Sequence, residues 1–119
     1  MNTYGLTSSQ WESAKGEIRR TMTTTARAQN TISYSEVVAD VSTVRLEADG
    51  QALAHILGEI STEEAGAGRG MLSVVVVHKG GDLRPGPGFF NLAERLGRDV
   101  MDKERCWIEE LNLVYGSVQ

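Results

Sequence analysis

Between Gly70 and Phe90 the chain reads GMLSVVVVHKGGDLRPGPGFF, and this stretch limits the possible folds more than any other. At its centre, Met71 to Val77 is an apolar run with Gly70 before it and Gly80 and Gly81 after it. In so short a run, periodicity does not separate a buried strand from a buried helix. The four valines Val74 to Val77 favour a strand, because β-branched side chains are stiff about their first torsion and suit a pleated surface. Apolar and polar residues do not alternate, so both faces are expected to be buried, and the Ser73 hydroxyl then needs a partner.

The segment that follows is built for turns. Gly80-Gly81 admits positive backbone angles, and Pro85-Gly86 and Pro87-Gly88 are turn dipeptides that fix one central angle and free the other. Lys79 and Arg84 lie on this stiff loop, with Arg69 just before the run. A rigid loop bearing cations suits an anionic partner such as a phosphate backbone.

Four helices and a shorter fifth are expected around this centre. Thr7 to about Gln29 has capping-box spacing at Thr7 and Gln10 and an apolar stripe at Trp11, Ala14, Ile18 and Met22, with Asn30 as the stop. Ser33 and Glu36 repeat the box before a short helix to Val41, and a brief strand over Thr31 to Tyr34 is the alternative. VRLE at 44–47 alternates like a strand but is too short to decide. Asp49 reads as the cap of a helix from Gly50 to Ile60, with Leu53, Ile56, Leu57 and Ile60 on one face and Gln51, His55, Gly58 and Glu59 on the other. A further helix is expected over Phe89 to Leu96, stopped by Gly97, and a final one over Asp99 to Tyr115, stopped by Gly116.

With 119 residues, 40% of them hydrophobic, the chain makes one domain over 1–119 with a real core. No apolar run reaches the roughly 18 residues of a membrane span. The start, MNTYGLTSSQWE, has neither the basic end nor the apolar centre of a leader, and Cys106 is the single cysteine; together these lead to the expectation of a reducing cytoplasm. A net charge of −4, from 12 basic and 16 acidic residues, argues against indiscriminate nucleic-acid binding while leaving room for a local basic patch.

The segments ISYSEVV, QALAHILGEIS and MLSVVVVHKGGDLRPGPGF resemble, in order and spacing, the winged-helix half of DNA alkyltransferases and alkyltransferase-like proteins. The resemblance covers roughly the middle half of the chain. It implies an α+β fold, mainly helical, with a winged-helix-like centre, a small β-sheet and a C-terminal helix. That family's reactive Pro-Cys-His-Arg segment would fall at Met71 to Val74, which here reads Met-Leu-Ser-Val, so alkyl transfer is not implied. The same glycine- and proline-rich pattern is also similar to small bacterial and phage proteins to which no activity is attached.

Catalytic constellations are weak. Cys106 on a helix beside Trp107 reads as a buried structural thiol. His55 and His78 with one cysteine do not furnish four well-spaced zinc ligands, and no cofactor is implied. Ser73 lacks the Gly-x-Ser-x-Gly turn, and Glu63-Glu64 and Glu109-Glu110 diverge as neighbours on helices. The expectation is therefore a non-enzymatic binding module. Its first form contacts nucleic acid, duplex DNA above all, through Gln51, His55, Arg69, Lys79, Arg84 and Arg95. Its second is a protein-interaction module, with a protein partner or a homodimer through Trp107 and Tyr115, and with no membrane association in either case.

Overall fold

The computed structural model describes residues 4–78 and 85–118. Along the chain these form α1 (Ser8–Arg27), β1 (Ile32–Ser33), α2 (Tyr34–Ala39), α3 (Gln51–Gly66), a 3-10 helix (Leu72–Val75), β2 (Val76–Val77), α4 (Pro87–Arg95) and α5 (Lys103–Ser117). The protein is thus α+β and mainly helical, with one small sheet among the described residues.

Local chemistry sets most boundaries. Both expected capping boxes form: Thr7 Oγ1 accepts from Gln10 N–H while the Gln10 side chain accepts from Thr7 N–H, and Ser33 and Glu36 do the same before α2. Three helices end in the same six-residue closure. Arg98 N–H reaches Ala93 O behind Gly97, and Arg69 N–H reaches Glu64 O behind Gly68. At the end of α1, Asn30 N–H reaches Thr25 O, and Gln29 takes the left-handed position with φ 54°. The stop of α1 is therefore Gln29, one residue before the expected Asn30.

The valine run departs from expectation. All of Met71 to Val77 is buried, on contact with α1, α3 and α5, but only Val76 and Val77 are extended. They pair in parallel with Ile32 and Ser33. β1 has just two residues, and the positions that would continue it opposite Leu72 to Val75 in the parallel register, residues 28–31, begin in the closing turn of α1, so Leu72 to Val75 have no neighbouring strand. An extended segment there would leave buried backbone groups unpaired. Winding into a 3-10 turn satisfies them: Val74 N–H donates to Met71 O at 2.9 Å. Ser61 and Glu110 take two more, Ser73 N–H donating to Ser61 Oγ at 2.9 Å and Met71 N–H to Glu110 Oε1 at 3.1 Å. The Ser73 hydroxyl finds its partner in Ser61, at 2.6 Å.

Other boundaries shift for similar reasons. Segment 44–47 joins no sheet among the described residues. Pro87, expected in a turn, opens α4, where its missing N–H costs nothing. Asp102 caps α5, which starts at Lys103 and runs past Gly116 to Ser117. Trp107 and Tyr115, the expected dimer anchors, are half-buried against their own core, and Tyr115 Oη donates to Asn30 O at 3.0 Å.

Around the central run, α1 contributes Trp11, Ala14, Ile18, Met22 and Ala26 to the core and α3 contributes Leu53, Ile56, Leu57 and Ile60. Phe89, Phe90 and Ala93 of α4 and Cys106 and Val114 of α5 complete it. This packing leaves one side of α3 uncovered along a cleft.

Candidate ligand cleft along α3

Four helical turns of α3 present Gln51, Ala54, His55, Gly58, Glu59, Thr62 and Glu63 to a cleft of about 1120 Å3. The start of α2 with Tyr34 and Ser35, and α4 with Pro87, Gly88, Leu92 and Arg95, also line it. Small residues keep it open. A methyl at Gly58 would sit 3.9 Å from Leu92 Cδ2, so α4 packs closely across α3.

The start of α3 differs from expectation. Its cap is Gly50, not Asp49, and no side chain caps the helix, so the first N–H groups of α3 have no side-chain acceptor at the cap. Asp49 lines the cleft beside them. Gly50 is suited to the position because a methyl there would press on Glu47 O at 3.2 Å.

Two groups of rings border the cleft. In the first, His55 stands edge-on to Trp11 at 5.4 Å and to Tyr4 at 6.1 Å between centroids. Trp11 Nε1–H donates to Glu59 at 2.8 Å, and His55 Nε2 lies 3.7 Å from the same carboxylate. In the second, the rings of Tyr34 and His78 lie 4.8 Å apart and tilted by 35°. The parallel register causes this pairing: Ser33 opposes Val77, so the next residue on each strand falls side by side. Tyr34 Oη accepts Gly86 N–H at 3.1 Å, which ties the start of α4 to the pair. Any side chain at Gly86 would meet His78 Nε2 at 2.9 Å, so glycine is what lets the ring lie against α4.

Charge along the cleft is nearly balanced. Glu59 and Glu63 reach over to α1, where Lys15 Nζ lies 3.5 Å and 2.6 Å from them and Arg19 pairs with Glu63. The Lys15 hydrogen bond, with the charges of Lys15 and Arg19, holds the Glu63 carboxyl below its usual range against a desolvation penalty. Burial opposes the charge on Lys15, but the Glu63 hydrogen bond and the two glutamates outweigh it and raise its pKa. Arg95 is the one Lys or Arg among the described lining residues, and no ion pair of the described residues engages it.

The six residues expected to form a site thus divide. Gln51, His55 and Arg95 converge on the cleft. Arg69 does not: it sits past the far end of α3, where Nε donates to Glu64 at 3.0 Å. That pair spends its charge locally. Lys79 and Arg84 lie outside the described residues. Sequence reasoning missed Tyr34 and His78 as a pair, because only the strand register brings them together.

Chemistry beyond binding has few candidates. Ser73 lines the cleft with its hydroxyl already engaged by Ser61. Cys106 is buried in α5, and burial followed by the charges of Glu110 and Glu109 pushes its thiol up, away from reactivity. Among the described residues no group of three or more His, Cys, Asp or Glu is placed to hold a metal ion. No described helix is long and apolar enough to cross a membrane. No protein-family model, no curated protein and no solved structure matches this chain.

Proposed function

We propose that the protein is a non-enzymatic nucleic-acid-binding module that meets its ligand at the α3 cleft, in a winged-helix-like body whose α2–α3 pair carries the contact face. The observation that supports this most is that Arg95, from α4, lines the same open surface as Gln51 and His55, one turn apart on α3. A glutamine amide offers both donor and acceptor to a base edge, and a guanidinium with no ion pair among the described residues suits phosphate. The uncapped start of α3 adds donors of the same polarity.

Fluorescence anisotropy with labelled mixed-sequence DNA at low salt tests the reading. Binding is expected, with Gln51→Ala and Arg95→Ala each weakening it by roughly five- to tenfold. Lys79→Ala with Arg84→Ala, chosen from sequence, flattens the salt dependence if that segment touches phosphate. Absence of binding at low salt to every nucleic acid tried sinks the proposal.

A second reading has its own observation. Asp49, Glu59 and Glu63 line the same cleft, which favours a basic segment of a protein partner. Binding of an arginine-rich peptide, lost on Asp49→Asn and undiminished by competing oligonucleotide, would select it.

A further inference from the structure

We infer that the cleft takes unpaired nucleotides, with a base stacked on the Tyr34–His78 ring pair, instead of the groove of a duplex. The inference rests on the nucleic-acid reading above and adds the strandedness and the residues that carry it.

Three observations lead to it. The first is shape. A helix that reads duplex DNA must project into a major groove about 12 Å wide. Here the outer face of α3 lines a concavity together with Tyr34, Ser35 and part of α4. Gln51 and His55 lie within that concavity and not on a projecting ridge. A single strand, whose bases can be turned out one at a time, fits into such a space.

The second is charge. Duplex affinity comes mainly from several phosphate contacts. Arg95 is the lone Lys or Arg among the described lining residues, and three carboxylates share the cleft with it. The described lining therefore offers one guanidinium to phosphate, and contacts to bases are expected to supply much of the affinity.

The third is the placement of rings. His78 is solvent-exposed, its ring lies 4.8 Å from that of Tyr34 and tilted by 35°, and the lack of a side chain at Gly86 lets it approach the start of α4. A ring already packed on a neighbour loses little freedom when a base stacks on it, and stacking of this kind tolerates any base. Gln51 lines the same cleft and offers its amide to the edge of the seated base.

The test uses the full chain and a labelled DNA of about ten nucleotides, alone and annealed to its complement. The single strand is expected to bind more tightly, by about tenfold or more, with a shallow salt dependence: a slope near −0.7 for each phosphate neutralised on a single strand, and only one or two neutralised. His78→Ala is expected to weaken single-strand binding about tenfold, the measured scale of one base stack. His78→Phe keeps a ring without the ring nitrogens and is expected to stay within about twofold of the parent. Circular dichroism on both variants separates lost binding from lost folding. Equal or tighter binding of the duplex overturns the inference and leaves the nucleic-acid reading intact. So does a His78→Ala protein that is folded and binds unchanged. Failure of both DNAs to bind overturns the two together.

Discussion

Glycine at position 70 is held by two constraints at once. Its φ of 87° lies in the left-handed region, and a methyl there would come within 3.0 Å of Val114 Cγ2 and 3.2 Å of Leu113 Cγ. Gly70→Ala is therefore expected to destabilise the protein by about 1–3 kcal/mol in urea unfolding, from strain and overpacking together. Gln29 shows the converse. It occupies a left-handed position with a full side chain, which costs about 1–2 kcal/mol. Gln29→Gly removes that cost and loosens the unfolded chain by less, so a gain of about 0.5–1 kcal/mol is expected in the same assay. Neither position announces its sign in the sequence. Gly70 reads only as the boundary of the apolar run, and Gln29 reads as the last residue of the first helix until the Asn30 N–H is seen to bond Thr25 O.

At the level of elements, α1 and α3 are joined by a buried apolar seam and by an ionic edge of Lys15, Arg19, Glu59, Glu63 and Glu64. The edge has a predictable pH window. Glu63 is shifted down, so its contribution is present above the ordinary carboxylate value and is lost as pH falls through its folded value. Lys15 is shifted up, so its contribution is present below the ordinary lysine value and is lost as pH rises through its folded one. Glu63→Gln is expected to lower the melting temperature slightly at neutral pH, a loss of no more than about 1 kcal/mol for so exposed a pair. The gap between parent and variant should narrow as pH falls below the ordinary carboxylate value and through the lowered folded one. A difference that persists at low pH would show that Glu63 acts by packing and not by charge.

Elements were also where sequence reasoning succeeded or failed, and for identifiable reasons. The capping boxes at Thr7 and Ser33 were legible because both partners lie within one turn. The apolar face of α3 was legible from its spacing, and with it the open face that carries Gln51 and His55. The valine run was not, because its intrinsic preference for extension was overruled by the lack of a neighbour for Leu72 to Val75. The cap at Gly50 was missed because Asp49 has the better side chain, yet the chain turns one residue later. Half of the candidate site, Tyr34 with His78, depended on a register 44 positions apart that no local pattern encodes.

For the molecule as a whole, everything packs on Met71 to Val77. α1, α3 and α5 each touch this run, and the single described sheet joins it to Ile32 and Ser33. A chain ending at Gly66 keeps the sequences of α1, α2 and α3 but has nothing for Ile18, Met22, Ile56 and Ile60 to close upon. It is expected to show weak helicity and no cooperative melt, whereas the full chain unfolds in one transition; a sharp melt from the fragment would refute the account. The parallel pairing sets an order of events during synthesis. On the ribosome, the first strand waits until more than forty residues beyond it have emerged. Through that interval the nascent protein has at most weak helicity and lacks the ring opposite Tyr34, which arrives with His78, so the recess itself is completed only on chains already past their last central valine.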